Sequence, residues 1–173
     1  MSDSTWHPAV DPAAMPPLAD FSQAADPASG GDLAVGLRIR TRVLAALAAE
    51  GLPAVVDEDG DVAVDVGDQT VFVSVFATAP PFLRVFGSWL VEGTADDELR
   101  FLRAANAVTG AINLVKVTVH GDAVVVAADL LLPAGGAELD DDTVAALVTS
   151  TIDAVLGAAQ TWHAMLDELR QEV

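Results

Sequence analysis

From Asp32 onward the apolar positions recur at helical spacing. Leu33, Leu37, Leu44, Leu47 and Ala48 share one face, and Ile39 and Val43 widen it. Asp32 is placed to cap the start and Gly51 the end, and Pro53 bars continuation. The period then drops to two. In AVVDEDGDVAVDVGDQTVFVSVFA, Val62, Val64 and Val66 point one way and Ala63 and Asp65 the other. In the strand that follows, Val71, Val73 and Val75 oppose Phe72, Ser74 and Phe76. Asp59-Gly60 and Gly67-Asp68 supply the positive φ that tight hairpin turns require. After Pro80-Pro81, FLRVFGSWLV reads as a fourth strand with an irregularity at Gly87, which completes an antiparallel meander.

DDELRFLRAANAVTG predicts a second helix, with acids at its positive end and Gly110 at its stop. Leu99, Leu102, Ala105, Asn106 and Val108 lie along or near its inner stripe. LVKVTV and DAVVVAADLL then alternate around a His120-Gly121 turn, so Lys116 points outward between valines. VVVAADLLL is long and uncharged until Asp129, which marks it as an edge open to a partner. The last helix starts near Asp140–Thr143 and carries Val144, Val148, Ile152, Val155, Ala159, Trp162, Leu166 and Leu169 on one stripe. Gly157 bends that helix or lets a neighbour approach closely. The order is α-ββββ-α-ββ-α. Each helix has one wide apolar stripe, so an α+β fold follows, with the helices on one face of a single, mostly antiparallel sheet.

Residues 1–31 differ from this domain of 32–173. They hold five of the nine prolines and four acids, with no base and no period, and a disordered tail is expected. Trp6, His7, Met15, Leu18 and Phe21 stand out there as a segment able to dock.

Charge narrows the partners. Eight basic against 26 acidic residues leave a net charge of −18, which repels phosphate backbones and anionic lipid headgroups. No nucleic acid and no membrane are expected as partners, and a basic one is favoured. No uninterrupted apolar run has the length of a membrane span, and no signal peptide is readable; a cytoplasmic location is expected. The chain has no cysteine, so it forms no disulfide. Seven arginines to one lysine, with abundant Ala and Val, fit a bacterial high-GC coding bias. Arg38, Arg40 and Arg42 concentrate on the first helix, where they are expected to pair with the chain's own carboxylates.

Catalytic patterns do not emerge. Ser88 lies in GSW without a histidine placed to serve it, and no phosphate-cradling glycine motif is present. His7, His120 and His163 lie far apart. DEDGDVAVDVGD, residues 57–68, imitates a calcium loop through Asp57, Asp59 and Asp61. It has Val62 where such a loop needs glycine and Asp68 where it needs a bidentate glutamate, so it reads as a hairpin turn. No enzyme, cofactor or metal site is expected.

From Gly36 to Leu169 the chain resembles the YbjN-like family, which is grouped with type III secretion chaperone-like folds. The stretches that carry the resemblance are EGLPAVVDEDGDVAVDV, ELRFLRAANAVTGAINLVKVTV with its Asn106, GDAVVVAADLLL, and the long helix ending near TWHAML. The resemblance implies a peptide-binding or chaperone-like module, often dimeric and without catalytic residues. Phe72, Phe76, Phe82 and Phe86 are then the candidate contacts, since helices on one face would leave them on the other or at an edge. The expected partners are a protein or peptide client, basic or amphipathic, and a second copy in a homodimer. Two other readings stay open at this stage. One is a small-molecule or ion-responsive sensory regulator, suggested by the acid-rich hairpin, and the other is an enzyme with an unrecognised site.

Overall fold

The computed structural model describes residues 30–171 apart from 92, 94–96, 121–122 and 134–138. The expected tail lies outside the described residues except at its last two positions. The elements are α1 (Gly30–Ala49), β1 (Ala54–Val56), β2 (Val62–Val66), β3 (Gln69–Phe76), β4 (Phe82–Leu90), α2 (Glu98–Ala111), β5 (Val115–His120), β6 (Ala123–Leu131) and α3 (Asp141–Gln171). All strands pair antiparallel in one sheet of order β1-β2-β3-β4-β6-β5. The α+β fold and its element order agree with the periodicity of the sequence.

Strand parity decides which residues meet the helices. Val62 and Val64 of β2, Val71 and Val73 of β3, Leu83 and Val85 of β4, and Val124 and Val126 of β6 are all buried on one face. On that face α1 lies against β1–β3, α3 against β4–β6 and α2 against β5, with α3 packed between the other two helices. Trp162 of α3 is fully buried; its ring lies 6.0 Å from that of Phe101 in α2, and its Nε1 donates to the Phe101 carbonyl at 3.3 Å. Asp140 caps α3 by accepting from the Thr143 amide at 2.7 Å, and Arg42 of α1 pairs with Asp141 at 2.8 Å. Gly60 and Gly67 hold positive φ in the hairpin turns that the sequence marks.

Several expectations need correction. α1 begins at Gly30, so Asp32 lies inside its first turn. Its buried stripe is Ile39, Val43, Ala46 and Leu47, while Leu33, Leu37 and Ala48 are exposed. α2 is rotated in the same sense. It buries Phe101, Ala104, Ala105 and Val108 and leaves Leu99, Leu102 and Asn106 outside. In α2 two alanines join Phe101 and Val108 in the buried stripe, whereas in α1 Leu47 stays fully buried beside Ile39, Val43 and Ala46. α2 also runs past Gly110 to Ala111. His120 is the last residue of β5, paired with Ala123, and is not itself the turn. β4 pairs with β6 without a break through Gly87; the glycine is there because a Cβ would collide with the Trp89 ring. β6 is no edge, since it returns between β4 and β5 and leaves β1 and β5 as the edges. At the β5 edge the Val117 amide is taken by Thr109 Oγ1 of α2 at 3.0 Å.

By length and mean hydropathy, 1.3, α3 is apolar enough to cross a membrane, although no uninterrupted apolar run is. Its stripe is instead buried against the sheet and the flanking helices. Gly157 is exposed on α3, and a Cβ there meets nothing within 4 Å, so close packing does not account for it. Gly157→Ala should therefore stabilise the helix by about 1 kcal/mol and raise Tm by roughly 3 °C in a thermal melt. A fall in Tm would show that the helix needs glycine there.

Candidate functional site

Among the described residues no helix lies on the second face of the sheet. Because directly paired residues share a face, the register builds it in rows. One row is Val55, Ala63, Phe72, Phe86, Ala127 and Lys116. Another joins Phe76, Phe82 and Leu131, and between them lie Ser74, Arg84 and Asp129. Phe72 stacks on Phe86 at 5.4 Å between ring centroids, and Phe76 on Phe82 at 4.3 Å with planes 5° apart. The four phenylalanines named as candidate contacts thus come together in two cross-strand pairs on the helix-free face. All four remain half-buried, and Val55 and Leu131 at the margins are 67% and 75% exposed.

Between the aromatic pairs, Arg84 grips Asp129 with two bonds, Nε to Oδ1 at 2.7 Å and Nη2 to Oδ2 at 3.1 Å. Its guanidinium also sits 5.6 Å from the Phe76 centroid. Lys116 reaches the same carboxylate at 3.3 Å. Hydrogen bonding from Arg84, and secondarily from Lys116, holds the Asp129 carboxyl below the usual carboxylate range, against partial burial. The pair locks the Arg84 side chain between the rings, so the face is preorganised.

Across the face, Asp65 of β2 and Asp61, the residue just before that strand, supply carboxylates. Asp65 accepts from Thr70 Oγ1 at 2.7 Å, and Asp61 is hydrogen-bonded to Ser74. Burial pushes the Asp61 carboxyl above its ordinary value, and Asp57 and Asp59 push it further, while Ser74 and Arg40 oppose the shift. A carboxyl raised in the fold is ionised at a cost. The fold is weakened as pH rises through the raised value, and this penalty is absent below the unfolded value of 3.8. Asp61→Asn should therefore raise Tm at pH 7 and lose that advantage at pH 3, as measured by melts across the range. An equal Tm difference at both pH values would contradict this account.

The imitation calcium loop is a hairpin connection. Asp57 Oδ1 accepts the amides of Asp59 at 3.0 Å and Asp61 at 2.8 Å, which turns its carboxylate onto its own loop. Among the described residues no group of three His, Asp or Glu side chains is set to hold a metal ion. A crevice on the helix side, lined by Ile39, Arg42, Leu83, Leu132, Leu139 and Val144, has a volume of ≈ 10 Å³, room for about one water molecule.

The family described as T3SS (YopN, CesT) and YbjN peptide-binding chaperone 1 matches residues 38–166, from within α1 to the last third of α3. The chain belongs to this chaperone family. Its fold is also that of YbjN from E. coli, a candidate transcription regulator, whose crystal structure superposes with a TM-score of 0.53 at 12% identity. That superposition covers 76% of this chain and 92% of YbjN. Among curated proteins, none matches the sequence.

Within this chaperone-family domain, strand parity in the sequence places the four phenylalanines on one face, as the structure does, but it does not reveal the Arg84–Asp129–Lys116 cluster among them. The available signal was a charged residue at an outward position within an apolar strand, once in β4 and once in β6. Lys116 was expected to point outward, and it does. Its shared carboxylate could not be read from the sequence.

Proposed function

We propose that this chaperone-family domain binds protein or peptide segments on the helix-free face of its sheet, and does so as a non-enzymatic homodimer. The carrying observation is the pair of phenylalanine stacks left half-open around a locked Arg84. Six strands about 4.8 Å apart, the longest of nine residues, span roughly 700 Å², close to the area one partner contributes to a standard interface. Membership of a peptide-binding family supports a client, and aromatic side chains flanking an arginine are the residue types that dominate binding energy. An array of unrelated peptides probed with the full chain tests this reading. Retention of a subset above control spots is expected, and uniform failure to retain any would overturn it.

The dimer has a different surface. Leu99 and Leu102 on the outward stripe of α2 are 57% and 44% exposed, and a second copy of α2 would cover them. Pairing along β5 is opposed because Thr109 already occupies the Val117 amide. Light scattering at tens of micromolar should give the dimer mass, and Leu102→Glu should give the monomer mass. A monomer in both cases contradicts the dimer.

A further inference from the structure

The helix-free face has a charge direction. On the β2 side lie Asp61 and Asp65, with Asp57, Glu58 and Asp59 in the adjoining connection. Between the stacks Arg84 of β4 meets Asp129 of β6, and on the far side Lys116 of β5 shares that single carboxylate. The apolar centre is thus acidic on one flank and slightly cationic on the other, within a chain of net charge −18. Burial first, then Asp57 and Asp59, disfavour the charge on Asp61, and Ser74 and Arg40 of α1 offset them only in part, so the flank stays acidic and crowded.

Backbone bookkeeping selects the form of the occupant. The face of a sheet offers no free N–H or C=O groups, since these lie in the strand plane. An extended segment laid on it would bury its own unsatisfied backbone, whereas a helix satisfies its backbone internally. Sheet edges could accept a strand, but β1 has three residues and β5 has the Val117 amide occupied by Thr109. The two phenylalanine stacks are four residues apart along β3, roughly 13 Å, which is about two and a half helical turns. A helix lying along β3 and β4 would project its flanking residues over β2 on one side and β6 on the other.

Resting on the binding reading above, we infer that the occupant of this face is a basic amphipathic helix, its apolar stripe on the two phenylalanine stacks and its Lys or Arg flank against Asp61 and Asp65. The stripe supplies most of the affinity, and the basic flank sets orientation and selects the client.

The test uses three labelled peptides with the full chain, read by fluorescence anisotropy. One is an amphipathic Leu/Lys helix, the second replaces its lysines with glutamate, and the third shuffles the first so that no stripe survives. The Lys helix should bind about tenfold tighter than the Glu helix, and the shuffled peptide about tenfold weaker than the Lys helix. Asp61→Asn with Asp65→Asn should bring the Lys and Glu peptides to within about threefold of each other, and Phe86→Asp should weaken both. Equal binding of Lys and Glu peptides, an unchanged ratio in the Asn variant, or shuffled binding as tight as the helix would each overturn the inference. So would failure of all three peptides to bind while array peptides are retained, an outcome that leaves the binding reading standing. Indifference of every peptide, including array peptides, to Phe86→Asp would instead remove the binding reading itself.

Discussion

Phe86→Asp should strongly weaken client binding while leaving the domain folded. Phe86 stands at the centre of the helix-free face, stacked on Phe72 and paired with Ala127 of β6. A carboxylate there removes the ring and places a charge where a client's apolar side chains would be desolvated. Central aromatic residues at interfaces cost about 2 kcal/mol or more when lost, so affinity for a retained peptide should fall about thirtyfold or further. The ring also contributes to stability: its stacking energy and partial burial amount to about 2–3 kcal/mol, below the stability of a typical domain, so the melt should stay cooperative at a lower Tm. Phe86→Leu, which keeps an apolar surface, should retain binding within about fivefold. Titrations with each variant check this, and tight binding by the aspartate variant would refute the assignment of the face.

The largest effect on stability is expected at Trp162. The side chain is fully buried between α2 and the sheet, and its N–H is satisfied by the Phe101 carbonyl. Trp162→Ala leaves a cavity and removes the hydrogen bond to the Phe101 carbonyl, a loss of about 3–5 kcal/mol. In a domain of this size Tm should fall by about 10 °C. Trp162→Phe refills most of the volume and loses chiefly the hydrogen bond, so its cost should be less than half as large. Denaturant melts followed by circular dichroism separate the two variants. Equal losses would show that the hydrogen bond rather than the volume holds α2 to α3.

The division between these two residues was partly legible in the sequence. Side chains alternate strictly along a strand, so the pattern of β3 already separates Val71 and Val73 from Phe72 and Phe76. Helical rotation was less legible. The leucines of α1 and α2 suggested stripes that the structure rotates: Ala46, Ala104 and Ala105 are buried while Leu37, Leu99 and Leu102 lie outside. Long-range pairing was not legible. Nothing local places β6 between β4 and β5, and the Arg84–Asp129 pair joins residues 45 apart in the chain. What the sequence showed as scattered aromatic and charged residues is therefore one surface only after the sheet closes.

The six phenylalanines offer the most direct test of that surface. Four lie on the helix-free face, Phe101 lies in the helix-side core, and Phe21 precedes the described residues. With phenylalanine-selective labelling, an NMR titration with an array-retained peptide should shift the ring signals of Phe72, Phe76, Phe82 and Phe86 while that of Phe101 stays fixed. Saturating binding that leaves those four rings unmoved would contradict the account.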